Sequence, residues 1–300
     1  PRMADDCLRD GVFDYWEVCR PLLADPDLIH KAAEDRLDEV RRCIGSLNCL
    51  SRLFRDLPYT CTMNPALGHE VEPEYQVTAA AVKKKVMVIG AGPAGMECAI
   101  TAAKRGHDVT VFDKAGRIGG NLYADAVNGL ARPDDLLSVI SHYEAVAKKL
   151  GIEVRLNTEV HAKFMRSVLH QYDVCVIAAG ASIDRGRHAH VKGAERMLDA
   201  LDVAHGRVKA GQRVVVVGGG KIGLTLAEAL RKHQGAEVTV IEPAKRIAGD
   251  VKPSFKWRHA SWVEELGIAC LTSATLVEVG ADGVTVRNAK GEWEAYAIEI

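Results

Sequence analysis

Apolar and polar positions along the chain fall into two copies of one pattern. From Lys85 an unbroken apolar run, Val86-Met87-Val88-Ile89, is followed by a glycine turn from Gly90 to Gly95, an alanine-rich helical stretch from Met96 to Arg105, and a second apolar run, Val109-Thr110-Val111-Phe112. Continuous apolar strands around a helix are what a parallel sheet covered on both faces requires, so the stretch reads as a βαβ unit. A helix at about Leu136 to Leu150, a strand from Glu153 to Leu156 and a buried strand from Val174 to Ala178 follow. The order restarts at Arg213, with a strand from Val214 to Val217, a turn from Gly218 to Gly223, a helix from Leu224 to Lys232 and a strand from Val238 to Ile241. The copies lie well over one hundred residues apart, too far for a solenoid and right for two similar domains. From Cys270 onward the residues alternate as in a small antiparallel sheet.

Upstream the signals are shorter. Val12 to Val18 reads as a strand, and Asp25-Pro26-Asp27-Leu28 as a helix start, with Asp25 as N-cap, Pro26 at the first helical position and the helix running to about Arg42. Residues 43–61 hold no sustained period and Glu70 to Val77 is polar and extended, which makes this stretch a loop followed by a linker. The chain opens on Pro1 and the run from Trp293 to Ile300 reads as a strand stopping before any cap, so an internal fragment of a longer protein is expected.

Composition narrows the function. The net charge of −1 argues for neither nucleic acid nor an anionic membrane surface as partner, and points to small-molecule ligands. No run approaches the roughly 18 apolar residues of a membrane span and no signal peptide is evident, so the cytoplasm is the expected location. Eight cysteines in 300 residues are too few for a disulfide scaffold, and in a reducing compartment the local group Cys43, Cys49 and Cys61 points to metal. Cys98, Cys175 and Cys270 sit in apolar contexts and read as core packing. His30, His69, His188 and His190 lack metal-ligand spacing with the cysteines.

The glycine turns carry the chemistry. Gly90 makes the tight turn, Gly92 lets the backbone approach a pyrophosphate and Gly95 permits close packing of helix on strand, while the helix N-terminus offers N–H groups and a partial positive charge to the phosphates. Asp113 ends the second strand, where an acid can accept hydrogen bonds from ribose hydroxyls. Gly218, Gly220, Gly223 and Glu242 repeat the arrangement. A carboxylate at Glu242 favours NADH over NADPH, whose 2′-phosphate it would repel, and Lys245 and Arg246 leave NADPH as the alternative.

The stretches Val86 to Glu97, Asp113-Lys114-Ala115-Gly116-Arg117-Ile118-Gly119-Gly120 and Ile177 to Ala181 resemble the two-dinucleotide-domain flavoprotein disulfide reductases. With Arg20 to Leu28, Cys43-Ile44-Gly45, Cys49 and Cys61-Thr62-Met63-Asn64-Pro65 upstream, nearly the whole chain resembles the multidomain NADH:flavin oxidoreductases of the 2,4-dienoyl-CoA reductase and trimethylamine dehydrogenase type. The resemblance implies an α/β fold: the C-terminal end of a TIM barrel (1–42), an iron–sulfur loop and linker (43–82), the first part of an FAD- or ADP-binding domain (83–190) and a truncated NAD(P)H-binding domain (191–300). It implies FAD held by Gly90, Gly92, Gly95, Asp113, Arg117 and Asn121, the nicotinamide nucleotide held by Gly218, Gly220, Gly223 and Glu242, and FMN phosphate touched by Arg20, although Cys19 stands where the family usually has glycine. It implies a 4Fe–4S cluster on Cys43, Cys49 and Cys61, but Ser46 replaces the second cysteine and gives up its proton far less readily.

The activity so implied is an oxidoreductase moving electrons from NAD(P)H through FAD and the cluster to FMN, for reduction of an activated C=C bond of enoate or dienoyl-CoA type. Two alternatives stand beside it: an amine dehydrogenase or demethylase passing electrons from FMN through the cluster to an external acceptor protein, and a non-catalytic electron-transfer or nucleotide-sensing module. No catalytic acid or base is assigned within these residues, and a second copy of the chain is the other partner considered.

Overall fold

The computed structural model describes residues 2–129 and 133–297. They divide into two compact units, residues 1–120 with 135–179 and residues 121–134 with 180–300. The first unit thus takes in the whole N-terminal segment and closes at Ala179, ahead of the boundary expected after 190.

The first unit is built on four parallel strands in the order β3-β2-β1-β4, with β1 Lys85–Ile89, β2 Asp108–Phe112, β3 Glu153–Arg155 and β4 Val174–Ile177. Val86, Met87 and Val88 of β1 and Val109, Val111 and Phe112 of β2 are all buried, which is why these strands read as continuous apolar runs. The crossover helix Pro93–Lys104 turns Gly95, Met96, Ala99 and Ile100 inward at helical spacing. Helix Pro133–Lys149 buries Val139, Ile140, Tyr143 and Val146 in the same way. β4, expected to be buried, is only half so, and its Ile177 is 74% exposed.

Two upstream expectations change. Residues 12–18 form no strand: Val12 and Tyr15 are exposed, and the segment has no ladder partner among the described residues, so its apolar side chains have no sheet to bury against. The helix expected to reach Arg42 is instead Leu28–Ala33, stopped where Asp35 turns left-handed (φ 55°) and Arg36 N–H bonds back to Lys31 O, with a 3-10 turn at Leu37–Glu39 beyond. Asp27, not Asp25, precedes this helix, and Pro26 stays outside it. Asp25 is a buried hub: its carboxylate accepts from Lys31 Nζ (2.7 Å), Asp27 N–H (3.1 Å) and Arg41 N–H (2.9 Å). Arg41 then donates to Met63 O and to Glu97 Oε1, each within 2.8 Å, fastening the segment to the crossover helix. The linker is not fully extended either, since Pro73–Tyr75 makes a 3-10 turn on which His69 and Tyr75 stack.

The second unit holds a parallel sheet in the order β5-β6-β7, from β5 Arg213–Val217, β6 Glu237–Glu242 and β7 Ala269–Thr272. An antiparallel sheet, β8 Thr275–Val279, β9 Gly283–Arg287 and β10 Trp293–Ala297, follows as expected, although the Cys270 stretch itself joins the parallel sheet. Val216, Leu226, Ala227, Leu230, Val238 and Val240 form one core cluster and Ile241, Leu276, Val279, Val284 and Val286 another. Helix Asn121–Asn128 belongs to this unit and touches helix Ala200–Ala204, where Asn128 Nδ2 donates to Ala204 O. No helix among the described residues is long and apolar enough to cross a membrane.

Candidate dinucleotide sites

In the first unit the chain leaves β1 at Gly90, whose φ of 108° suits only glycine and whose missing Cβ would lie 2.2 Å from Ala178 O. A Cβ on Gly95 would stand 1.9 Å from Gly90 O, so helix and strand meet backbone to backbone. Gly92 is extended (φ −74°, ψ 178°) with nothing within 4 Å of where a Cβ would be: the backbone opens there onto free space, as the approach of a phosphate requires. Asp113 closes the loop, its two carboxylate oxygens accepting from Ala91 N–H (2.6 Å) and Ala115 N–H (2.7 Å). Each oxygen keeps a second lone pair for a ribose hydroxyl. Arg117 lies exposed on the stretch after β2, where Gly119 N–H bonds to Ala91 O. Asn121 falls in the second unit, its Oδ1 3.0 Å from His205 Nε2.

The second loop repeats this geometry bond for bond. Gly218 (φ 105°) follows β5, a Cβ on Gly223 would lie 1.9 Å from Gly218 O, and Glu242 accepts from Gly219 N–H (2.7 Å) and Ala244 N–H (2.8 Å). Ala248 N–H bonds to Gly219 O as Gly119 N–H does to Ala91 O. Gly220 opens the fourteen-residue helix Lys221–Gln234 and has no side-chain cap of its own. Here Asp250 supplies one, its Oδ1 accepting from Lys221 N–H at 2.9 Å. A cavity of about 380 Å³ reaches this loop, with Val215, Val217, Gly218, Gly220, Ile222 and Asp250 in its lining. Lys245 and Arg246 are exposed on the loop after β6. Asp250 is absent from the residues singled out by the glycine fingerprint. The signal for it is a longer repeat, Asp113-x-Ala-x-Arg117-Ile-Gly-Gly-Asn121 against Glu242-x-Ala-x-Arg246-Ile-Ala-Gly-Asp250.

The cysteine loop does not match its expectation so well. Cys43, Cys49 and Cys61 are free and half-buried, and Cys61 Sγ accepts from Met63 N–H at 3.3 Å. Among the described residues no three His, Cys, Asp or Glu side chains gather as metal ligands. Ser46, at the position of the second cysteine, has its hydroxyl 2.8 Å from that of Thr62. Three separated thiols and one hydrogen-bonded alcohol do not fit a four-thiolate cluster. Arg20 is exposed at the start of the five-residue helix Arg20–Ala24. Burial pushes the thiols of Cys98, Cys175 and Cys270 up, in keeping with packing roles.

Two strand–glycine turn–helix–strand units, each closed by a carboxylate at the end of its second strand, define a protein built around a pair of dinucleotide folds. Residues 84–298 match the family model described as pyridine nucleotide-disulphide oxidoreductase, and the chain belongs to that family. It is 35% identical over 301 residues to an NADH oxidase of Thermoanaerobacter brockii, covering 97% of this chain and 45% of that protein. A cinnamate reductase of Clostridium sporogenes is 36% identical over 243 residues, 81% of this chain and 35% of its own length. The solved complex of 2-naphthoyl-CoA reductase with 2-naphthoyl-CoA superposes with a TM-score of 0.92 at 36% identity, over 99% of this chain and 44% of that one. The chain therefore spans less than half the length of each of these three relatives, and the resemblance drawn from its motifs extends along nearly all of it.

Proposed function

We propose that this chain is the electron-input part of an NADH-dependent flavin oxidoreductase that reduces activated C=C bonds. The observation that carries the reading is the pair of glycine loops with equivalent backbone geometry, one open at Gly92 and one reaching a cavity at Gly220. Relatives named for the reduction of cinnamate and of 2-naphthoyl-CoA, both unsaturated carboxyl derivatives, support the substrate class. When bound, NADH supplies a hydride and a flavin accepts it.

The residues present do the binding. The backbone around Gly92 and the N-terminus of helix Pro93–Lys104 would take the pyrophosphate of FAD, and Asp113 its ribose, with Arg117 as a further candidate. Gly218, Gly220 and Gly223 would take the pyrophosphate of NADH and Glu242 its adenosine ribose, with NADPH disfavoured by charge. The onward path to FMN at Arg20 belongs to the full-length protein, and no step is assigned through Cys43, Cys49 and Cys61, because their donor set does not fit the cluster.

Anaerobic addition of NADH to the flavin-loaded full-length protein should bleach the visible flavin absorbance, and NADPH should do so more slowly. A folded preparation that binds no adenine dinucleotide overturns the reading. Ser46→Cys supplies the missing thiol, and after anaerobic reconstitution it should hold more iron and sulfide per chain than the wild type. Equal contents near four irons in both would show that Ser46 does not limit the cluster.

A further inference from the structure

The two loops differ at one place that bears on binding. At Gly92 a side chain would point into open space. At Gly220 it would meet the Asp250 carboxylate, with both oxygens 2.9–3.0 Å from the Cβ position. Asp250 therefore fills the gap that the absence of a side chain at Gly220 creates, and it accepts the hydrogen bond from Lys221 N–H, the first residue of the helix. It reaches this place from a short connection running from Ala248, whose left-handed backbone (φ 58°) is held by its bond to Gly219 O, to helix Pro253–Glu265.

A carboxylate at a helix N-terminus makes the same contacts as a phosphate, and two anions cannot share one N–H group and one partial positive charge. We propose that Asp250 is an internal competitor for the pyrophosphate of the nicotinamide dinucleotide, so that the nucleotide binds only when the Asp250 side chain has swung out. The inference rests on the reading of this loop as the NADH site. Asp250 is exposed, so its side chain can swing out, and the apparent affinity is the intrinsic affinity multiplied by the fraction of time it is away. The competition acts on the diphosphate common to NADH and NADPH. It therefore lowers affinity for both alike, whereas Glu242 discriminates between them.

The test is titration of the full-length protein with NADH and with NADPH, following nucleotide fluorescence, for the wild type, Asp250→Ala and Asp250→Asn. Asp250→Ala should bind both nucleotides about five- to tenfold more tightly. Asp250→Asn keeps an acceptor for Lys221 N–H, and so protects the helix start, but loses the charge; it should gain affinity in the same direction by less. Binding unchanged or weakened in both variants overturns the proposal and makes Asp250 a plain cap or a nucleotide contact. If neither wild type nor variants bind either nucleotide while circular dichroism shows them folded, the nucleotide reading fails and this inference falls with it.

Discussion

The loop at Gly90 and the loop at Gly218 are closed by equivalent hydrogen bonds, yet their surroundings differ. β1 has neighbours on both sides and the chain leaving β4 presses Ala178 O towards Gly90, whereas β5 lies at the edge of its sheet and nothing stands within 4 Å of a Cβ on Gly218. Equivalent turns thus form with and without a flanking strand. The turn is set locally, by the glycines and the closing acid, and the flank decides what the loop faces. Gly92 faces open space; Gly220 faces a carboxylate.

The hardest break of this equivalence comes from the third glycine. A methyl group on Gly95 or on Gly223 would enter the carbonyl oxygen of Gly90 or Gly218, which cannot move without opening the strand–helix junction. Gly95→Ala and Gly223→Ala should each destabilise their unit by about 3 kcal/mol or more in urea unfolding. Gly92→Ala should keep the fold and lose flavin nucleotide, because its methyl points where the phosphate would lie. If Gly95→Ala unfolds no more readily than Gly92→Ala, the two glycines do not divide their tasks in this way.

The next difference is the response to acid. His142 of the first unit is buried with neither ring nitrogen hydrogen-bonded among the described residues, and burial, with Arg41 and Lys31 adding positive charge nearby, lowers its pKa to about 4. The unfolded chain takes up this proton below its ordinary pKa of 6.5, and the folded chain only near 4. The stability contributed by the neutral ring is therefore complete above pH 6.5 and is lost as pH falls towards 4, by roughly 3 kcal/mol at the limit. In the second unit the buried carboxylate Glu228, 2.7 Å from His259 Nδ1, is pushed up by burial, and its contribution has the opposite sign: it is present at low pH and is lost as pH rises through the raised value. His142→Phe should flatten the loss of stability between pH 6.5 and 4, measured by urea unfolding. An unchanged slope would place the acid sensitivity elsewhere.

Much of this was legible in the residues, for physical reasons. Strands buried on both faces leave continuous apolar runs, and glycines required by positive φ or by backbone contact at Gly90, Gly95, Gly218 and Gly223 mark the turns unambiguously. Helix Pro253–Glu265 left no such mark, because its buried positions include Ser254 and His259 and its stripe is not apolar. Val12 to Val18 is rich in aromatic and β-branched residues, as strands are, but has no partner among the described residues, and residue type alone does not supply a ladder. Asp25 looked like a cap because capping and hub carboxylates use the same acceptors; what separated them was the distant Arg41 N–H, which no local pattern contains. Asp250 was hidden in the same way, as it acts on Lys221 from 29 positions away.

The smallest effect separates the closing role of the acids from their choice of nucleotide. Asp113 and Glu242 each accept from an equivalent pair of backbone N–H groups, Ala91 and Ala115 for one and Gly219 and Ala244 for the other, so the shorter acid closes a loop as well as the longer one. Glu242→Asp should therefore leave the melting temperature within a degree or two, while drawing the charge back from the ribose. Removing the charge altogether, in Glu242→Ala, should raise NADPH binding relative to NADH about tenfold, or about 1.4 kcal/mol, as the exposed Lys245 and Arg246 are left to meet the 2′-phosphate. The Asp variant should fall between wild type and Ala in the NADPH to NADH ratio of dissociation constants. If Asp melts as early as Ala, the side-chain length at this position matters for closing the second loop in a way it does not for the first, and the equivalence of the two turns ends at their acids.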